Sequence, residues 1–273
     1  MSYTIKFKDG SEKELTTLRH AELRYANLAG ADLSRKTLEG VDLVEANLIG
    51  ANLCHADLTN AKLRNANMSN AKLSEACLYN VWADGATFAF ADMRYVFAVD
   101  AVMTETVMSY ALLAHAHFSN ARLCAADLCY ADFTEAAMNN AVLYRVCATG
   151  ANFTSVNMQT AKLTSAYLVA AEFIGADLSC AQLQKANLKQ ADLCNACLSG
   201  ANLSGADLTG ADLRGADLRD ADLSSAHLDG ALLFGAKLEG TKLDCAALSK
   251  ALFNEADLNG ALPKEAQLPK YQN

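Results

Sequence analysis

From Ala21 to Leu268 the chain reads in groups of five without one insertion or deletion, and a period of five suits neither a helix, which repeats every ~3.6 residues, nor a strand, which alternates. Across 50 quintets the first residue is Ala in 42, and the third is Leu in 34, Met in 6 and Phe in 6. Only Ala83, Ala98, Ala148 and Pro263 break the rule at the third position. Two apolar residues, two apart, can meet one core in every quintet only if the chain bends once per quintet. Of the 15 glycines, all but Gly10 fall on the fifth position of a quintet, where Asn60, Asn70, Asn80, Asn120 and Asn140 also stand. Gly and Asn are the residues that best tolerate the positive φ of a type II turn. Four such corners close a square coil of twenty residues.

Composition bounds what such a coil can contain and meet. A hydrophobic fraction of 52% with 7% aromatics predicts a core of small and medium aliphatics. A net charge of −8 disfavours direct nucleic-acid binding and anionic membranes, both of which need a surplus of Lys and Arg. No apolar run approaches the ~18 residues of a membrane helix, and Met1 to Gly10 lacks the apolar stretch of a secretory signal, so a soluble cytoplasmic protein is expected. The nine cysteines are odd in number and scattered, which predicts reduced thiols acting as small hydrophobes.

The run from Ala201 to Asp220, ANLSGADLTGADLRGADLRD, resembles the A(D/N)LXX signature of the pentapeptide-repeat family, and the likeness extends over most of the chain. The resemblance implies an all-β fold, a right-handed quadrilateral parallel β-helix, with the first and third residues of each quintet inward and the other three outward. About 12 coils at an inter-strand spacing of ~4.8 Å imply a length of roughly 60 Å. Open ends of a β-helix need covers. Tyr3 to Leu15 alternates apolar and polar residues around Asp9 and Gly10, which predicts a hairpin. The expected organisation is therefore an N-terminal β-hairpin cap over 1–15, the repeat β-helix over 16–268 and a C-terminal tail over 269–273, with Pro263 and Pro269 ending the ladder.

Two small third-position residues are expected to be offset by a larger neighbour one coil away: Ala83 by Met103 and Ala98 by Phe118. Ala148, between Leu128 and Leu168, has no such partner. The outward positions carry more functional information. Between residues 79 and 112, ten of 21 outward positions hold Tyr79, Trp82, Phe90, Tyr95, Phe97, Val99, Val102, Val107, Tyr110 and Leu112, whereas none of the 16 between 200 and 225 holds such a residue. Tyr130 continues the column of Phe90 and Tyr110. A belt of rings on a stiff scaffold suits binding of a protein partner or self-association, and equally suits a ladder that only stacks on itself. A second column, Glu172, Asp192 and Asp212, with Asp132 forty residues from Glu172, sets like charges one coil apart, Arg214 standing beside Asp212.

No nucleophile, base and orienter converge in the sequence, and its glycines serve corners rather than a phosphate loop, so neither an enzyme nor a cofactor is expected. Cys194 and Cys197 form a CxxC without a second pair, and His115 and His117 are ordinary outward residues, so no metal site is expected either. The resemblance brings one alternative function, a DNA-mimicking modulator of type II topoisomerase (DNA gyrase) with quinolone protection. A 60 Å duplex carries on the order of 35 negative charges, against the net eight here. The loop insertions and C-terminal dimerising helix of the best-known quinolone-protecting members have no counterpart in this sequence.

Overall fold

The computed structural model describes residues 3–7 and 10–253. Pro263, Pro269 and the tail 269–273 lie outside the described residues. The chain forms two compact units, Met1–Ala137 and Met138–Asn273.

The first unit opens with β1 (Tyr3–Phe7) and β2 (Glu12–Leu15), paired antiparallel with Tyr3 opposite Leu15 and Lys6 opposite Glu12. The other edge of β1 pairs antiparallel with β3 (Ala26–Asn27) on the first coil, which satisfies backbone groups that no preceding coil could reach. Ile5 of β1 is buried, and the Lys36 ammonium lies 5.7 Å from the centre of the Tyr3 ring. Beyond it, parallel bridges join residues twenty apart, from Glu22 with Asp42 to His117 with Ala137. The second unit repeats the arrangement from Val142 with Lys162 to Leu232 with Leu252. Each is a right-handed quadrilateral parallel β-helix.

Counting backbone donors explains why the repeat has the residues it has. The second-position N–H donates to the coil before, as Asp42 does to Ala21 O at 2.9 Å. Third and fifth positions donate to the coil after, as Leu23 does to Asp42 O and Tyr25 to Val44 O, and the first position closes the corner, Ala26 donating to Leu23 O. The fourth-position N–H has no place in this ladder. It is taken by the side chain two residues earlier wherever that residue is Asp or Asn: Ser34 N donates to Asp32 Oδ1, Thr154 N to Asn152 Oδ1 and Thr209 N to Asp207 Oδ1. The repeat's outward Asp or Asn is therefore a turn acceptor, one coil side at a time.

The corners hold a second surprise. Fifth-position residues sit at positive φ whatever they are: Gly210 at 67°, but also Tyr95 at 59°, Glu105 at 56° and Phe90 at 58°. Left-handed backbone costs a non-glycine residue ~1 kcal/mol or more, and here the ladder on both sides imposes it. At some corners a glycine also leaves room for the side chain one coil back. A Cβ on Gly215 would strike the Asn195 side-chain oxygen one coil back, and a Cβ on Gly40 the His20 ring.

First and third positions fill the core. Leu203 and Leu208 are fully buried, and Phe153 stacks on Phe173 at 5.0 Å between ring centres. Ala83, Met103, Ala98 and Phe118 are all fully buried one coil apart in their columns, and Phe118 also meets Phe133 edge-on. Where Thr replaces the first-position Ala, its hydroxyl is satisfied: Thr106 donates to Met103 O and Thr241 to Leu218 O, each at 2.8 Å. Among the described residues no buried side-chain polar atom lacks a partner. None of the nine cysteines is in a disulfide.

Candidate interaction surface

The rings of the first unit stand on outward positions, and twenty-residue columns decide which of them meet. Phe90, Tyr110 and Tyr130 stack along one corner, with ring centres 5.1 Å apart in each step and planes within 3° and 15°. Tyr95 stacks on His115 at 4.7 Å along the next corner, and Phe97 on His117 at 5.0 Å along the side that follows it. His115 Nδ1 in turn lies 3.3 Å from the Glu135 carboxylate. Tyr79 donates its phenol to Asp100, and that hydrogen bond, with the carboxylate's charge behind it, raises the phenol's pKa. Trp82, 60% exposed, bridges through its backbone to Lys62 and Val102 and stacks on no ring among the described residues.

The rings of the belt thus stand in five separate columns, three of them stacked, rather than in one sheet of rings. Tyr79, Trp82, Phe90, Tyr95, Phe97, Tyr110, Leu112 and Tyr130 are exposed. Val99, Val102 and Val107 are only half-exposed, their short branched side chains standing lower than the rings beside them. These coils also lose the usual turn acceptor: Trp82, Phe97, Val102, Val107 and Leu112 occupy second positions, where Asp or Asn would otherwise hold the fourth-position N–H. Asp92 keeps that role and is held by Arg94, whose guanidinium donates to both carboxylate oxygens at 2.8 Å and keeps the group below the usual carboxylate range.

The acidic column divides between the units. In the first, Asp132 Oδ1 accepts from Thr134 N and Oγ1. In the second, Glu172 bridges to Asp192 and Asp192 to Asp212. Asp212 receives Arg214 Nε and Nη2, at 2.9 and 2.6 Å, which lowers its pKa. Asp192, Cys194 and Asp212 place their donor atoms within 4.8 Å of one another. Desolvation, with hydrogen bonds to both carboxylates, pushes the Cys194 thiol up to about 12, and Arg214 pairs with Asp212.

Sequence reasoning missed the surroundings of Trp82. A concavity of about 390 Å³ is lined there by Arg24, Val44, Lys62, Arg64, Trp82 and Asp84. The signal lay in the twenty-residue columns, which put Lys62 under Trp82 and Arg64 under Asp84.

The pentapeptide-repeat model matches in eight copies, at residues 21–60, 42–80, 55–88, 108–145, 116–154, 157–195, 196–233 and 231–261. With well over half of its length matched, the chain belongs to the pentapeptide-repeat family. The matched segments omit 89–107, the stretch of Phe90, Tyr95, Phe97 and Val102. No curated protein is significantly similar to the chain. Among solved structures it is similar to Rfr23 from the cyanobacterium Cyanothece 51142, at 33% identity over 36% of this chain and 64% of that one, with a TM-score of 0.31. The chain thus spans less than two thirds of that protein. HetL from Nostoc sp. strain PCC 7120, a protein involved in heterocyst differentiation regulation, is 28% identical over 88% and 93% of the two chains, TM-score 0.28. QnrB1, a plasmid-mediated fluoroquinolone resistance protein, is 17% identical over 84% and 90%, TM-score 0.31. Among the described residues no helix is long and apolar enough to cross a membrane.

Proposed function

We propose that the protein is a non-enzymatic interaction module that binds a protein partner, or a second copy of itself, through the exposed rings of its first unit. The observation that carries this reading is the concentration of large exposed apolar side chains between Tyr79 and Tyr130. Stacking along the columns fixes ring orientation in advance, so little side-chain entropy is left to lose on docking. A ladder that served its own coils alone would give no reason for Trp82, which stands outward without a stacking partner among the described residues.

Light scattering and pull-down with the double variant Trp82→Ser, Phe97→Ser test the reading. Both side chains point away from the core, so the fold is retained and association is lost. Association at wild-type strength in that variant would refute it.

A further inference from the structure

We propose that the concavity beside Trp82 is a binding site for a nucleoside monophosphate, an anion carrying a flat ring and hydrogen-bond donors. The lining holds three cations, one aromatic face and one acceptor, arranged by coil. Arg24, Lys62 and Arg64 lie on the coils N-terminal to the one that carries Trp82 and Asp84. Lys62 is in the Trp82 column, and Arg64 in the Asp84 column. Buried Val44 lies in the same column between Arg24 and Arg64 and floors the recess.

The charges available there are set by their partners. Arg24 is engaged by Asp42 at 3.4 Å and lies over the Tyr25 ring. Among the described residues neither Lys62 nor Arg64 has a carboxylate within ion-pair distance. Two uncommitted cations beside an indole that is 60% exposed are an anomaly in a chain of net charge −8. Arg64 and Lys62 suit a phosphate by charge-assisted hydrogen bonds, and the indole face suits a base by stacking. Asp84 accounts for the remaining chemistry: it accepts from a base amine or sugar hydroxyl and repels a purely anionic ligand. An acidic peptide would use the cations but leave the indole and Asp84 without a role. The volume lies within the range of small-ligand sites.

Trp82 is the only tryptophan of the protein, so its fluorescence reports this site alone. The intact chain is titrated with adenosine 5′-monophosphate, adenosine, inorganic phosphate and a hexaglutamate peptide. The expected result is a saturable change with adenosine 5′-monophosphate, with a Kd on the order of 0.1–1 mM for so open a site. Adenosine and phosphate each bind at least ~10-fold more weakly, and Arg64→Ala and Lys62→Gln each weaken the nucleotide by about 10-fold, with unchanged far-ultraviolet circular dichroism. No saturable response, indifference to both substitutions, or tighter binding of hexaglutamate overturns the proposal. Because Arg64→Ala and Lys62→Gln leave every ring in place, loss of nucleotide binding with retained protein association separates this site from the docking surface.

Discussion

Replacing Asp207 by Ala isolates the role assigned to the outward Asp or Asn of each quintet. Asp207 Oδ1 accepts from Thr209 N at 3.1 Å and from Thr209 Oγ1 at 2.6 Å, while Lys189 Nζ lies 3.1 Å from the other oxygen. The hydroxyl of Thr209 can turn to water, and the exposed ion pair contributes little, roughly 0–0.5 kcal/mol. The amide of Thr209 is the term that matters, because it has no backbone acceptor in the ladder and stands half-buried. Losing its partner costs about 1 kcal/mol, which lowers Tm by roughly 2–4 °C for a chain of this size. Asp207→Asn keeps the acceptor oxygen and is expected to lose less than half of that. Thermal unfolding followed by circular dichroism gives the stabilities, and amide exchange at Thr209 gives the local effect, with faster exchange in the Ala variant only. Equal losses for Ala and Asn, or unchanged Thr209 exchange in Asp207→Ala, would refute the turn-acceptor account and return these residues to the status of solvated charges.

Three further outcomes follow from the same geometry. Gly215→Ala is more destabilising than Gly210→Ala by urea unfolding, since both pay the left-handed backbone cost but only Gly215 must also displace the Asn195 side chain; at Gly210 the nearest atom is Gln190 Cγ at an ordinary 3.8 Å. Asp212 and Asp217 are held below the usual carboxylate range by hydrogen bonds from Arg214 and Arg219. Their contribution is complete above the unfolded carboxylate value of about 3.9 and disappears as pH falls through the lower folded values, so Arg214→Ala flattens the loss of stability in acid titration. In a supercoiling assay with purified DNA gyrase, micromolar protein leaves activity unchanged, because the acidic column is spent on turns and on Arg214; inhibition or protection would favour the DNA-mimic reading.

The path of the chain was legible because one period carries it: the residues that turn inward, Ala and Leu two apart, recur at fixed places, and Leu203 and Leu208 are where that rule puts them. The corners were read through glycine and asparagine, and that reading was too narrow. Tyr95 and Glu105 take the same positive φ, because in a stacked ladder the neighbouring coils, not the residue, set the backbone. The second-position carboxylate looked like charge and acts as an acceptor, a distinction that needs the count of backbone donors. Rings could be assigned to columns from their numbers, so the Phe90, Tyr110 and Tyr130 stack was foreseeable. Heights above the surface could not, and Val99, Val102 and Val107 stand lower than their neighbours. The Trp82 recess escaped because its lining spans sixty residues of sequence, from Arg24 to Asp84, and is assembled only by stacking coils.

Photo-crosslinking tests the docking surface most directly. A p-benzoylphenylalanine replaces Phe97 on the ring-bearing side of the first unit, and in a second variant replaces Thr209 on an outward position of the second unit. The account predicts a covalent adduct, to a partner or to a second copy, from position 97 and none from position 209. Equal adducts from both positions, or none from position 97, would contradict it.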